Sequence, residues 1–126
     1  MSQPPCVDLT AREARYLLEL LGMAREEKAP TQAELARSVG VSQPTALEMV
    51  RRLRELGLVA AEGLELTNEG TSAALVLASR QRAAHLLAHN VLGLDGAQAD
   101  EEAARLAPNL SSDLMRRILA SHQPRN

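Results

Sequence analysis

Residues 31–58, TQAELARSVGVSQPTALEMVRRLRELGL, decide the fold. Thr31 and Glu34 stand three apart, the spacing at which a hydroxyl and a carboxylate satisfy each other's first-turn amides, so a helix starts here. Leu35, Ala36 and Val39 give it one apolar side, and Gly40 stands where a left-handed residue ends it after barely two turns. Beyond Val41, Ser42 can cap another helix, in which Pro44 costs little because first-turn amides have no partner inside the helix. Ala46, Val50 and Leu53 are its inner face and Gly57 its stop. A short bracing helix, a glycine turn and a longer helix form a helix-turn-helix, whose second helix offers the polar residues of its first turn to base edges in a major groove. The candidate contacts are Ser42, Gln43, Pro44, Thr45 and Glu48, with Thr31 and Gln32 at the start of the preceding helix. Arg51, Arg52 and Arg54 lie further along, on faces that can reach flanking phosphates, which position the helix without specifying sequence.

The flanks make the segment more specific, since an arginine-rich helix alone is often only a solvated face. After Gly57 the apolar period changes. Leu58-Val59 and residues 64–66 read as short strands joined through Glu62-Gly63, a tight hairpin that would form a wing. This wing carries Glu62 and Glu65 but no Lys or Arg, so it would repel a phosphate backbone. Upstream, Thr10 and Glu13 repeat the capping pair at the head of a helix striped by Ala14, Leu17, Leu18 and Leu21, and residues 25–30 (REEKAP) read as a loop ended by Pro30. Downstream, Thr67 caps a long helix reaching about Asn90 or Val91, apolar over so broad an arc that it needs partners on two sides. Asp95 with Gln98 opens a fifth helix, which Pro108 ends. Ser111 or Ser112 opens a sixth, carrying Leu114, Ile118 and Leu119.

Composition bounds the function. A chain of 126 residues has room for one compact body with an appended helical segment. Tyr16 is its only aromatic residue, which nearly excludes the base-stacking platforms of single-strand binders. The formal charge of −2 gives no overall pull toward phosphate. Residues 1–66 hold eight basic and ten acidic side chains, so non-specific DNA binding should be weak and salt-sensitive. Cys6 stands alone near an N-terminus expected to be disordered over residues 1–8, so no disulfide framework or thiolate metal site can form within one chain. No apolar run approaches a membrane span and no secretory signal is evident, which points to a cytoplasmic protein without a membrane partner. There is no glycine-rich phosphate loop and no nucleophile with a base at recognisable spacing, so an enzyme is not expected.

In series, these motifs resemble the diphtheria-toxin-repressor and manganese-transport-regulator family of metal-dependent repressors. Tyr16-Leu17-Leu18-Glu19-Leu20-Leu21 resembles the family's opening helix, and Glu34-Leu35-Ala36-Arg37 with Val41-Ser42-Gln43-Pro44-Thr45 its recognition region. Leu66-Thr67-Asn68-Glu69-Gly70 matches the exit from its wing. Leu92-Gly93-Leu94-Asp95 and Glu102-Ala103-Ala104-Arg105-Leu106 match its dimerisation region. The resemblance implies a mainly α fold: a winged helix-turn-helix DNA-binding domain over residues 9–68, a helical dimerisation domain over 69–121, and a tail over 122–126. It also implies a homodimer on a palindromic operator in double-stranded DNA, with Fe(II) or Mn(II) as cofactor.

The chain departs from the family at the metal. Carried over, the main-site positions fall on Arg15 and Leu18, on Gln81 or Arg82, and on Ala104, Ala107 and Pro108, none of them a good divalent-ion ligand. His85 and Asp100 fall near a second family site, where Gln81 could add an oxygen; one imidazole, one carboxylate and one amide make a poor cage. His89 and His122 read as ordinary surface or packing histidines without a companion at ligand spacing, and Glu101-Glu102 as a solvated helix start. No cofactor is therefore expected, and Arg15 is read as a fixed cation replacing the ion, free to pair with Asp100, Glu101 or Glu102. The expected function is a homodimeric, metal-independent transcriptional regulator. Two rivals are a scaffold that keeps the fold without reading DNA, and a sensor of a small ligand held near Leu18, Ala104 and Ala107.

Overall fold

A computed structural model describes residues 9–26 and 29–121, so Cys6, His122 and the expectations for residues 1–8 and 122–126 lie outside the described residues. The elements are α1 (Ala11–Ala24), α2 (Gln32–Val39), α3 (Gln43–Glu55), α4 (Asn68–Leu86), α5 (Gly96–Leu106) and α6 (Ser112–Ser121). A π-helical turn, Leu87–Val91, continues α4, and a 3-10 turn, Ala107–Asn109, follows α5. The expected long helix thus reaches Val91, with its last turn wound wider than an α-helix. The chain divides into two compact units at Leu75/Val76, within α4.

In the first unit α1, α2 and α3 pack on one another around Tyr16, Leu17, Leu20, Leu35, Val50 and Leu53. Each such leucine contributes roughly 1.5–3 kcal/mol relative to an exposed one. The Thr10–Glu13 capping box forms in full: the Glu13 amide donates to Thr10 Oγ1 at 3.1 Å and the Thr10 amide to Glu13 Oε1 at 2.9 Å. The buried face of α1 is nonetheless not the stripe expected. It contains Glu13, Tyr16, Leu17, Leu20 and Leu21, while Ala14 and Leu18 are only half-buried. Residues 13, 16, 17 and 20 keep perfect helical spacing, but the series starts on a carboxylate, which an apolar pattern cannot register.

At α2 only half the capping box forms: the Glu34 amide donates to Thr31 Oγ1 at 3.1 Å, and that hydroxyl donates to Glu34 Oε1 at 2.9 Å instead of leaving the carboxylate to the backbone. Gly40, at φ 82°, ends α2 in the left-handed region, its amide donating to the Ala36 carbonyl at 2.8 Å. This is where the chain turns toward α3, and a side chain there would strain it.

The expected hairpin is reduced to one antiparallel bridge, Val59 with Leu66, and no longer strand forms among the described residues. Two amides close it, Ala60 donating to the Glu65 carbonyl at 2.8 Å and Thr67 to the Leu58 carbonyl at 3.1 Å. Extension fails for two reasons. Leu64 turns into the core at 7% exposure, and Arg54 takes carbonyl acceptors of the loop, donating from Nε to Ala60 O at 2.7 Å and from Nη2 to Gly63 O at 2.9 Å. Thr67 Oγ1 then donates to the Gly57 carbonyl at 2.7 Å and accepts the Gly70 amide at 3.0 Å, which ties the exit of α3 to the start of α4.

The second unit is built on small residues. Ala83, Ala84, Ala103 and Ala107 are buried with Leu110, Met115 and Ile118, flanked by Leu86, Leu87, Leu106 and Leu119. The expected Asp95–Gln98 capping pair does not form: Asp95 occupies the cap without a side-chain bond, and its carboxylate lies 3.8 Å from His89 Nδ1. Ser111 opens α6, accepting the Leu114 amide at 3.1 Å. Among the described residues no helix is long and apolar enough to cross a membrane.

Candidate nucleic-acid interface

The side chains of α3 divide three ways. At 100° per residue Ala46, Val50 and Leu53 face the core, and Pro44, Glu48, Arg51 and Glu55 fall on the opposite, exposed side. Thr45 and Arg52, seven residues apart, share one flank, and Arg54 lies on the other, toward the wing. The Ser42 hydroxyl caps α3, accepting the Thr45 amide at 3.3 Å and lying 2.8 Å from Thr45 Oγ1. Gln32, Gln43, Glu48 and Arg51 are exposed and have no side-chain partner among the described residues. Thr31 is exposed, with its hydroxyl committed to α2. The exposed candidate groups thus stand at the heads of α2 and α3, and the hydroxyls of Thr31, Ser42 and Thr45 are ordered by the caps.

The arginines correct the sequence reading in one place. Arg54 donates to the wing carbonyls and is half-buried, so it stabilises the wing from within. Arg51 extends into solvent. Arg52 donates from Nε to Oε2 of Glu13, which is only 2% exposed, while the arginine side chain remains 61% exposed. The Arg52 bond and the Thr10 amide hold the Glu13 carboxyl below the ordinary carboxylate range against the opposing effect of burial, and the guanidinium of Arg52 is raised in return. Sequence reading found Glu13 as a cap and Arg52 as a surface cation. It missed that they meet across 39 residues, because nothing local in either segment signals the pair.

In the second unit the three residual metal candidates converge on one surface cleft of about 440 Å³, lined by Ala78, Gln81, Arg82, His85, Asp100, Ala103 and Ala104. His85 Nε2 lies 3.3 Å from Asp100 Oδ1, so the two best donors face each other. Ala104, Ala107 and Pro108 bring no side-chain donor atom, and among the described residues no three His, Cys, Asp or Glu side chains converge as a metal group. Exposed Arg82, a cation on the cleft wall, opposes a divalent ion further. The described residues lining this cleft, one imidazole and one carboxylate beside an arginine, do not make a donor set that fits Fe(II) or Mn(II). Of the acids proposed as partners for Arg15, Asp100 faces His85 and Glu102 accepts from Arg105 at 2.9 Å; Arg15 itself is exposed. His89 does have a companion, contrary to expectation: its ring stacks on that of His85, four residues earlier, with centroids 6.2 Å apart, and its Nδ1 lies 2.9 Å from the Leu94 carbonyl.

A three-helix unit with a Gly40 turn, an exposed second helix and a wing closed by one bridge is a winged helix-turn-helix. Residues 8–64 match the family described as "Iron dependent repressor, N-terminal DNA binding domain". The chain is 30% identical over 115 residues to the iron-dependent repressor IdeR of Mycobacterium leprae, and to the same extent to the diphtheria toxin repressor of Corynebacterium glutamicum, covering 89% of this chain and 50% of each relative. The solved structure of a manganese-dependent transcriptional repressor in complex with manganese superposes with a TM-score of 0.74 at 33% identity, over 86% of this chain and 51% of that one. Residues 8–64 thus carry the DNA-binding domain of the iron-dependent repressor family, and the relatives named here are transcriptional repressors and not enzymes. It spans about half the length of the curated relatives it matches.

Proposed function

We propose that the protein is a cytoplasmic transcriptional repressor that binds a palindromic operator in double-stranded DNA as a homodimer, without requiring a metal ion. The observation that carries this reading is α3, whose exposed Gln43, Pro44, Glu48 and Arg51 stand clear of intramolecular side-chain bonds among the described residues, within a DNA-binding domain of the repressor family. Gln43 supplies a paired donor and acceptor for a base edge, Arg51 a phosphate contact, and the caps at Thr31 and Ser42 bring Gln32 and Thr45 alongside. Two copies of α3 about one helical turn apart on the duplex would supply the affinity that the acidic surface withholds from one. Metal independence rests on the donor set: Ala104, Ala107 and Pro108 in the second unit, and Arg15 on α1, stand at positions where the family resemblance puts metal ligands, and none of them is a good ligand for a divalent ion.

The test is fluorescence anisotropy on a selected pool of palindromic duplexes at fixed salt, first in chelator and then with added Mn(II), Fe(II) or Zn(II). Specific binding in chelator is the expected result, and binding only with metal would overturn metal independence. A second reading, a scaffold that no longer reads DNA, draws on exposed Glu62 and Glu65 in the wing. Absence of specific binding in every condition would put it first. Loss of operator affinity in Arg15→Ala is the expected result for a metal-replacing cation, and an unchanged affinity would remove that role.

A further inference from the structure

Glu13 is the one buried charged side chain among the described residues, and it is tied to two elements at once. The Thr10 amide fixes Oε1 at the head of α1, while Oε2 accepts from Nε of Arg52 near the end of α3. A guanidinium carries five N–H groups in a planar fork, and Nε supplies only one of them. The four on Nη1 and Nη2 have no partner among the described residues, and the side chain is 61% exposed. The fork therefore projects into solvent from a fixed base. An unrestrained arginine would have to freeze several rotatable bonds on meeting a phosphate; this one is already held by its own Nε.

We propose that Glu13 is a positioning residue for DNA binding, holding Arg52 by Nε so that the terminal amino groups form a preset clamp for one backbone phosphate per protomer. This rests on the DNA-binding reading above. Glu13 does not attract the phosphate; its charge offsets that of Arg52, and Glu48 and Glu55, four residues before and three after on α3, oppose the contact further. Its contribution is geometric and passes entirely through Arg52, which distinguishes it from a residue that only stabilises the fold.

The experiment is a double-mutant cycle in the full chain, using Glu13→Gln and Arg52→Gln. It reads operator affinity and its salt dependence for variants whose folding is checked by circular dichroism. Arg52→Gln should weaken binding about tenfold and flatten the salt slope by about two per dimer, one phosphate per protomer. Glu13→Gln, which keeps an acceptor for Thr10, should weaken binding about fivefold in the Arg52 background and have no further effect in the Arg52→Gln background. Equal losses in both backgrounds, or tighter binding by Glu13→Gln, would overturn the proposal. If Glu13→Gln does not fold, Glu13→Asp replaces it, keeping the charge but withdrawing the carboxylate by one methylene, with the same pattern expected. A wild-type chain that binds no duplex defeats the DNA reading itself, an outcome distinct from wild-type binding that the variants leave unchanged.

Discussion

Gly70 shows how much one hydrogen atom in place of a methyl can decide. A Cβ built there would lie 1.9 Å from the Leu58 carbonyl oxygen, a backbone atom fixed by the Thr67 amide, so nothing flexible can yield. Gly70→Ala should destabilise the protein by roughly 3 kcal/mol or more, read as a lower midpoint in urea unfolding. Glu13 gives a second residue-scale expectation. Its carboxyl has a lower pKa folded than unfolded, so its stabilisation is fully present above the ordinary carboxylate range near 4.5 and is lost as pH falls through the depressed folded value. Thermal melts of the wild type should therefore fall below about pH 5, and Glu13→Gln should show a lower plateau and a shallower acid loss. An unchanged acid slope in Glu13→Gln would mean that other carboxylates dominate. Glu13 also marks where sequence reading stops at this scale. Its capping role is local and legible from Thr10, whereas its pairing with Arg52 is set by how two helices pack, and no spacing rule reaches across it.

Among the elements, the caps and stops were the most legible. Thr10, Ser42 and Gly40 act as read, because each answers a first- or last-turn amide or carbonyl within a few residues. The wing was legible in position but not in extent. Leu58-Val59 and Leu66 do pair, yet the alternation that suggested strands through residues 64–66 reflects Leu64 turning inward and Arg54 occupying carbonyls that a ladder would have used. His89 failed for the opposite reason: the four-residue interval to His85 was visible, but ring stacking on a π-turn was not. Arg54→Ala should cost about 1–2 kcal/mol, removing two hydrogen bonds from a charged donor, and should speed amide exchange at Ala60 and Thr67 while leaving α1 protected. Unaltered exchange in the wing would show that Leu64 burial alone holds it.

Over the whole molecule the charge balance governs the DNA expectation. Arg51 and Arg52 are the exposed arginines of α3, so the homodimer proposed above would present four from this helix. The slope of log affinity against log salt should then be roughly −3 to −4, at about −0.9 per phosphate neutralised. A slope twice as steep would mean that basic groups elsewhere carry the binding. The metal question also belongs here. The departures at Ala104, Ala107 and Pro108 were plain from the sequence once the family was seen, and the meeting of His85 with Asp100 was foreshadowed by their family positions. What no pattern conveyed was how much of the second unit's core is alanine: Ala83, Ala84, Ala103 and Ala107 are buried beside Leu110, Met115 and Ile118. Such a core hides little hydrocarbon from water for each residue it orders. Since the heat-capacity increment of unfolding follows newly hydrated apolar area, this half of the chain should have one below the usual ~12–15 cal/mol/K per residue. A small increment flattens the stability curve, so this alanine-rich unit should gain little on cooling and change little in firmness across the temperatures at which a cell lives.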